Sequence, residues 1–237
     1  MENVKTQGVV LQNTKYGDNH IISHIFTESH GRLSFFVRGS SKGKNKYRNL
    51  LFPLSILNID FSFSPKKTLQ YFKEISFIKN PVDFYSVPEK LPVVFLLTEL
   101  FEKTIKADDK SPEIYNFISQ VITYLYEEKT LKNTWFIQIL VTYLRLLGIA
   151  PRIDLSAVFF DLENTRFTAR KPEQSVFLDQ DETRYFIQLL NNRNFDELPL
   201  IPKEKRLKMI EKILKYYQIH LGIGEINSFK ILKNLYK

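Results

Sequence analysis

Not one of the 237 residues is cysteine. The chain therefore has no disulfide framework, no thiolate nucleophile and no sulfur-ligated metal, and a reducing cytoplasm suits such a composition. Long hydrophobic runs are also missing. The two most apolar segments, Val93 to Phe101 and Phe136 to Ala150, are broken by Glu99 and Arg145, short of the roughly 18 residues a membrane-spanning helix needs. The opening MENVKTQGVV lacks the basic start, apolar run and small-residue cleavage site of a signal peptide. Neither secretion nor membrane insertion is expected. No fixed-period repeat and no low-complexity tract occurs, which sets solenoids aside.

Catalytic signatures are equally scarce. There is no HExxH, no GxSxG and no spaced carboxylate cluster. His20 and His24 share a strand face, His30 precedes a turn glycine and His220 lies at a helix end, where a cation suits the dipole. Asp108-Asp109 and Glu127-Glu128 read as solvated acidic pairs at helix boundaries. No enzyme activity, catalytic residue, metal or cofactor is expected.

What the chain does have is a concentrated positive charge. The net charge is +8. Residues 1–80 hold 12 basic and 5 acidic residues, whereas the remaining chain holds 22 and 21. The positive field belongs to the first third, where polyanions or acidic partners become plausible.

That first third reads as short β-branched and aromatic runs: GVVLQNT, HIISHIFT, RLSFFVR, LLFPLSILNIDF and TLQYFKEISFI. Turn residues separate them, among them Tyr16-Gly17-Asp18, His30-Gly31 and Ser64-Pro65-Lys66. Five strands in so short a span predict a closed Greek-key barrel of the OB type, because an open sheet would leave two edges to protect. After Asn80-Pro81 the period changes to three and four, as in Val94, Leu97, Phe101 and in Ile114, Phe117, Ile118, Val121, Leu125. Ser111-Pro112-Glu113 starts a helix, and Gly148 followed by Pro151 ends one. The expected fold class is α+β: an OB-fold domain at 1–80 and a helical domain at 81–237 carrying a small hairpin insert at about 152–178.

Between the third and fourth strands lies RGSSKGKNKYR, Arg38 to Arg48, with five basic residues and no acidic one. Gly39, Gly43 and Lys44 suggest a P-loop, but three residues separate the glycines where four are needed, and Asn45 stands where Ser or Thr would bind magnesium. A solvated hairpin loop is the plain reading. Against it, Lys42, Lys44 and Lys46 alternate so that an extended segment points them one way, and Tyr47 offers a stacking face. The adjacent pairs Phe35-Phe36 and Tyr71-Phe72 each put one ring inward and one outward; the outward ring could stack on a base or cover neighbouring structure.

In KEKRLKMIEKILKYY the stripe Leu207, Ile210, Leu214 and Tyr217 is flanked by Lys205, Lys208, Lys212 and Lys215. Such a helix either simply faces the core or edges an apolar, lysine-rimmed groove for an acidic, hydrophobic peptide.

The run from Gly8 to Phe61, with its YGD turn, FT followed by HGR, basic Lys/Arg-Gly loop and proline-containing fourth strand, resembles the N-terminal barrel of RecO, the bacterial recombination mediator. More diffusely, YLRLLGIAP and YYQIHLGIGEINSFKIL resemble that family's helical part. The resemblance implies a non-enzymatic protein of the bacterial cytoplasm, associated with the nucleoid. It implies binding to single- and double-stranded DNA, annealing of complementary strands, and action with RecR to exchange single-strand-binding protein for RecA. Arg32, Arg38, Lys44 and Arg48 match basic family positions, and Gly31 and Gly39 match turn glycines. Ser41 stands where many members are basic and Asn49 where many have glycine, with Lys42 and Lys46 offsetting the first. With Tyr47, these cations form the expected DNA site.

The family's helical domain receives the acidic C-terminal tail of single-strand-binding protein, which the resemblance assigns here to a groove with Arg145, Lys208, Lys212 and Lys215. Many members also hold a four-cysteine zinc site after the residue matching Pro151; here Ser156 replaces the first cysteine. Packing of Val158, Phe159, Phe160 and Phe167 is expected to hold that hairpin instead. The competing reading is an adaptor whose basic barrel docks acidic proteins without contacting DNA.

Overall fold

A computed structural model of the chain describes residues 2–39, 47–80, 82–107, 109–128, 131, 134–192, 195 and 197–235. The chain divides into two compact units, Met1–Glu128 and Lys129–Lys237.

In the first unit, β1 (Glu2–Tyr16), β2 (His20–Thr27), β3 (Gly31–Val37), β4 (Ile56–Phe63), β5 (Leu69–Gln70) and β6 (Phe72–Lys79) form one sheet in the order β5-β3-β2-β1-β4-β6. Five strands were expected and six are found, because the last run is interrupted at Tyr71. β5 pairs in parallel with β3, while β6 pairs antiparallel with β4. Two halves of one extended segment thus join opposite edges of the sheet, and the barrel closes without leaving a long edge unpaired. Inside it, Val10, Ile25, Phe35, Leu57, Ile59, Phe61 and Ile75 are buried together. The rings of Phe35 and Phe72 stack across the closure at 4.3 Å.

Two glycines hold this geometry. A Cβ on Gly31, where φ is +68°, would lie 2.2 Å from the Asp109 carbonyl oxygen, and one on Gly39 would lie 1.7 Å from that of Asn19. Both distances are far below any tolerated contact, so only hydrogen fits.

Three helices complete this unit: α1 (Val82–Tyr85), α2 (Leu91–Thr104) and α3 (Pro112–Glu127). The hydroxyl of Ser111 accepts from the amide of Ile114 and Pro112 occupies the first turn of α3, the start the sequence predicts. Val94, Leu97 and Phe101 of α2 and Ile118, Val121 and Leu125 of α3 are buried.

The second unit contains α4 (Trp135–Leu146), β7 (Phe159–Asp161), β8 (Arg166–Thr168), β9 (Phe177–Leu178), α5 (Gln180–Asn191), α6 (Lys203–Leu221) and α7 (Ser228–Leu235). The amides of Gly148 and Ile149 return to the carbonyls of Arg145 and Leu144, closing α4 in a Schellman motif. The insert is a three-stranded sheet, β8-β7-β9, rather than a plain hairpin, since Phe177 and Leu178 add a strand beside β7.

Phe160 is its anchor, buried against Phe167, Phe186 and Tyr216 at 4.7, 5.1 and 5.8 Å. Two polar devices that pattern reading did not find accompany this packing. The carboxylate of buried Asp161 accepts from the amides of Glu163 and Asn164 and from the Asn164 side chain at 3.1, 3.1 and 2.8 Å. Burial opposes its charge, but these bonds outweigh it and hold the carboxyl below its ordinary range. His220 Nε2 donates to the Leu162 carbonyl at 2.6 Å while its ring packs on Tyr216, tying α6 to the turn after β7. Ser156, which stands where the resembled family often has its first zinc cysteine, donates its hydroxyl to Asp154. No helix among the described residues is long and apolar enough to cross a membrane.

Candidate nucleic-acid interface

The sequence predicts one ring of the Phe35-Phe36 pair inward and one outward; Phe35 is the buried one and Phe36 faces out. Tyr16 pairs with His20 and Ile22 with Phe36, so β1, β2 and β3 present Tyr16, His20 and Phe36 on one outer face. Tyr71, directly after β5, joins them. The Phe36 ring lies 5.8 Å from Tyr16, 5.1 Å from His20 and 5.8 Å from Tyr71. Tyr16 and Tyr71, at the ends of this row, are 52% and 51% exposed.

The other half of the same face is covered. Arg32 of β3 donates to the carbonyls of Glu102 and Ile105 at 2.7 and 2.8 Å and pairs with the Glu102 carboxylate at 3.0 Å. Beside it, His24 Nδ1 lies 2.9 Å from the Ser34 hydroxyl, and Phe26 faces Tyr115 of α3 at 6.0 Å. Burial first, then the Arg32 charge, pushes His24 below its ordinary pKa. Arg32 was expected at the DNA; its guanidinium is instead engaged with the C-terminal turn of α2, where a cation meets the dipole and the last carbonyls. A sequence pattern contains nothing to reveal this, because the partner is 70 residues away.

Around the open half lie exposed cations: Arg38 after β3, and Lys66 and Lys67 between β4 and β5. Lys15, also exposed, pairs with Ile21 and so points to the other side of β1 from Tyr16. Lys67 Nζ stands 5.9 Å over the Tyr71 ring. Asp18 is the acidic residue in the β1–β2 turn. The basic loop departs from this edge, with the Gly39 amide donating to His20 Nδ1 at 2.9 Å. It returns at Tyr47, whose hydroxyl donates to the Lys73 carbonyl at 3.0 Å and whose half-buried ring lies 6.0 Å from Phe72. Tyr47, expected as a stacking face, therefore packs on the barrel, and Tyr16 and Tyr71 are the exposed rings instead. Lys42, Lys44 and Lys46 lie outside the described residues; Arg48 opens a short 3-10 turn, Arg48–Leu50.

The second unit contains the expected groove on α6. A hollow of about 420 Å³ is lined by Lys208, Lys212, Lys215, Leu214, Ile226 and Phe229, among others. Lys208 and Lys215 are exposed on it, whereas Lys212 pairs with the buried carboxylate of Glu182 at 2.5 Å. Arg145 does not line it: its guanidinium donates to the carbonyls of Leu190 and Asn192 at 3.0 and 2.9 Å, capping α5. The apolar stripe expected on this helix faces the core more broadly than four residues, since Met209, Ile213 and Tyr216 are buried along with Ile210, Leu214 and Tyr217.

Two family models match the chain in succession, meeting before α2 rather than at the boundary between the two compact units. A family model described as Recombination protein O N terminal matches residues 1–81, and one described as Recombination protein O C terminal matches residues 86–228. The DNA repair protein RecO of Azobacteroides pseudotrichonymphae is 28% identical over 98% of this chain and 98% of its own length. Those of Bacteroides fragilis and Flavobacterium johnsoniae are 27% and 26% identical over 98% of this chain. With the barrel, the helical part and the insert each falling inside these matches, the chain belongs to the Recombination protein O family.

Proposed function

We propose that this chain is a DNA repair protein that binds single strands on its barrel and anneals them, without catalysing a covalent step. The observation that carries this is the outer barrel face: the helices cover one half of it, and the open half is bordered by Arg38, Lys66 and Lys67 and by the ends of the basic loop. Small Greek-key barrels bind oligonucleotides on this face of strands 2 and 3. Cations there neutralise backbone phosphates, release their counterions and reduce the repulsion between two strands, while base pairing supplies specificity.

In this reading RecR acts with the barrel. The groove beside α6 receives the acidic tail of single-strand-binding protein, and RecA is loaded as the indirect result, at the nucleoid in the bacterial cytoplasm. The groove supports this through its make-up, apolar Leu214, Ile226 and Phe229 under exposed Lys208 and Lys215, which suits a peptide that is both apolar and acidic.

The test is fluorescence-detected annealing of complementary oligonucleotides across a salt series, with and without single-strand-binding protein. With about five loop cations displacing counterions, the single-strand affinity falls with a log-log salt slope of roughly −3.5. Annealing that is salt-sensitive and survives the coating protein is expected. Absence of both binding and annealing at low salt would leave the barrel as a docking module for acidic proteins.

A further inference from the structure

We infer that Tyr16 and Tyr71 are base-stacking platforms that make this barrel select unpaired over paired strands. The inference rests on the nucleic-acid reading above and specifies which form of nucleic acid the open face takes. Cations alone give no such selection, since duplex and single strand both present phosphates. The rings do. In a duplex each base face is covered by its stacked neighbours, so only an unpaired base can lay its face on an exposed ring, and such stacking is tolerant of sequence.

The geometry matches that use. Phe36 is half-buried in the middle of the row and holds the two tyrosines through edge and tilted contacts at 5.8 Å on each side. The tyrosine rings are thus positioned from one side and half open on the other. Tyr71 does not sit alone: Lys67 lies over its ring, and Arg38, next after Phe36 on the same outer face by alternation, is exposed. An apolar protein partner would call for a continuous greasy patch, whereas this row is bordered by charge.

The same strands that carry the row also fix its orientation. Tyr16 and His20 flank the β1–β2 turn, and His20 Nδ1 accepts the Gly39 amide at 2.9 Å, so the ring that packs on Phe36 is itself held in place.

The experiment compares three ligands on the full chain: oligothymidylate, an abasic deoxyribose-phosphate oligomer of equal length, and a matched duplex. Wild-type protein is expected to bind the thymidylate at least about fivefold more tightly than the abasic oligomer, the lower end for one stacked base. The double variant Tyr16→Leu, Tyr71→Leu should lose that preference while keeping its abasic and duplex affinities and its salt slope. The variant Tyr16→Phe, Tyr71→Phe should keep it. Equal wild-type affinity for thymidylate and abasic oligomers overturns the inference without any variant having to fold, and leaves the electrostatic reading standing. Binding of none of the three ligands overturns both.

Discussion

Arg32 of β3 and Glu102 of α2 pair at 3.0 Å while the same guanidinium donates to two carbonyls at the end of the helix, with both side chains less than a quarter exposed. One side chain thus joins the sheet to α2 and satisfies backbone acceptors that the helix itself leaves open. Replacing Arg32 by Ala strands a carboxylate and two carbonyls in a partly buried place. Chemical denaturation should show a loss of about 2–4 kcal/mol. The salt slope for single-strand binding by the remaining folded protein should not change; a reduced slope would return Arg32 to the DNA site.

The converse holds for the loop. Substituting Lys42, Lys44 and Lys46 by Ala removes three candidate phosphate contacts, which should reduce the magnitude of the salt slope by about 2. Lysine-to-alanine changes in a run with no acidic neighbour remove no ion pair within it, so the denaturation midpoint should stay where it is.

His24 predicts a pH effect. Burial and the Arg32 charge lower its pKa from 6.5, against a smaller pull from Glu102. Below pH 6.5 the unfolded chain therefore binds more protons at this site than the folded chain does, so the stability contribution is present above 6.5 and falls as the pH drops. His24→Gln should flatten the difference between denaturation midpoints measured at about pH 7.5 and about pH 5.5. An unchanged difference would assign the acid sensitivity to other groups.

At Gly31 two demands coincide, a positive φ of +68° and an Asp109 carbonyl 2.2 Å from any added Cβ. Gly224 has neither, with nothing within 4 Å. Thermal unfolding of Gly31→Ala should shift down by several degrees or the variant should fail to fold, while Gly224→Ala should unfold close to wild type.

Within the α6 groove the three lysines separate by role. Lys208→Glu with Lys215→Glu should weaken an acidic, hydrophobic peptide about tenfold or more, read by fluorescence anisotropy, and leave stability unchanged. Lys212→Ala should instead cost about 3 kcal/mol of stability, because the carboxylate of Glu182, whose side chain is only 2% exposed, loses its cationic partner and is left with the Asp179 amide.

Local pattern was enough for most elements, though not for the break at Tyr71 that divides β5 from β6 or for β9 of the insert. Period-two runs gave the barrel strands and the opposed facing of Phe35 and Phe36, period three to four gave α2, α3 and α6, and Ser111-Pro112 marked a helix start. These follow from the sequence because backbone geometry repeats over a few residues. The division of labour among cations did not follow. Arg32, Arg145 and Lys212 look in sequence like Lys208 or Lys215, yet each is committed to a carbonyl or carboxylate 30 to 70 residues away. Charge type is written locally, whereas whether a charge faces solvent depends on which distant helix end or carboxylate the chain brings against it. The same reason separates Tyr47, folded onto the barrel, from Tyr16 and Tyr71, which the closure of the sheet leaves open.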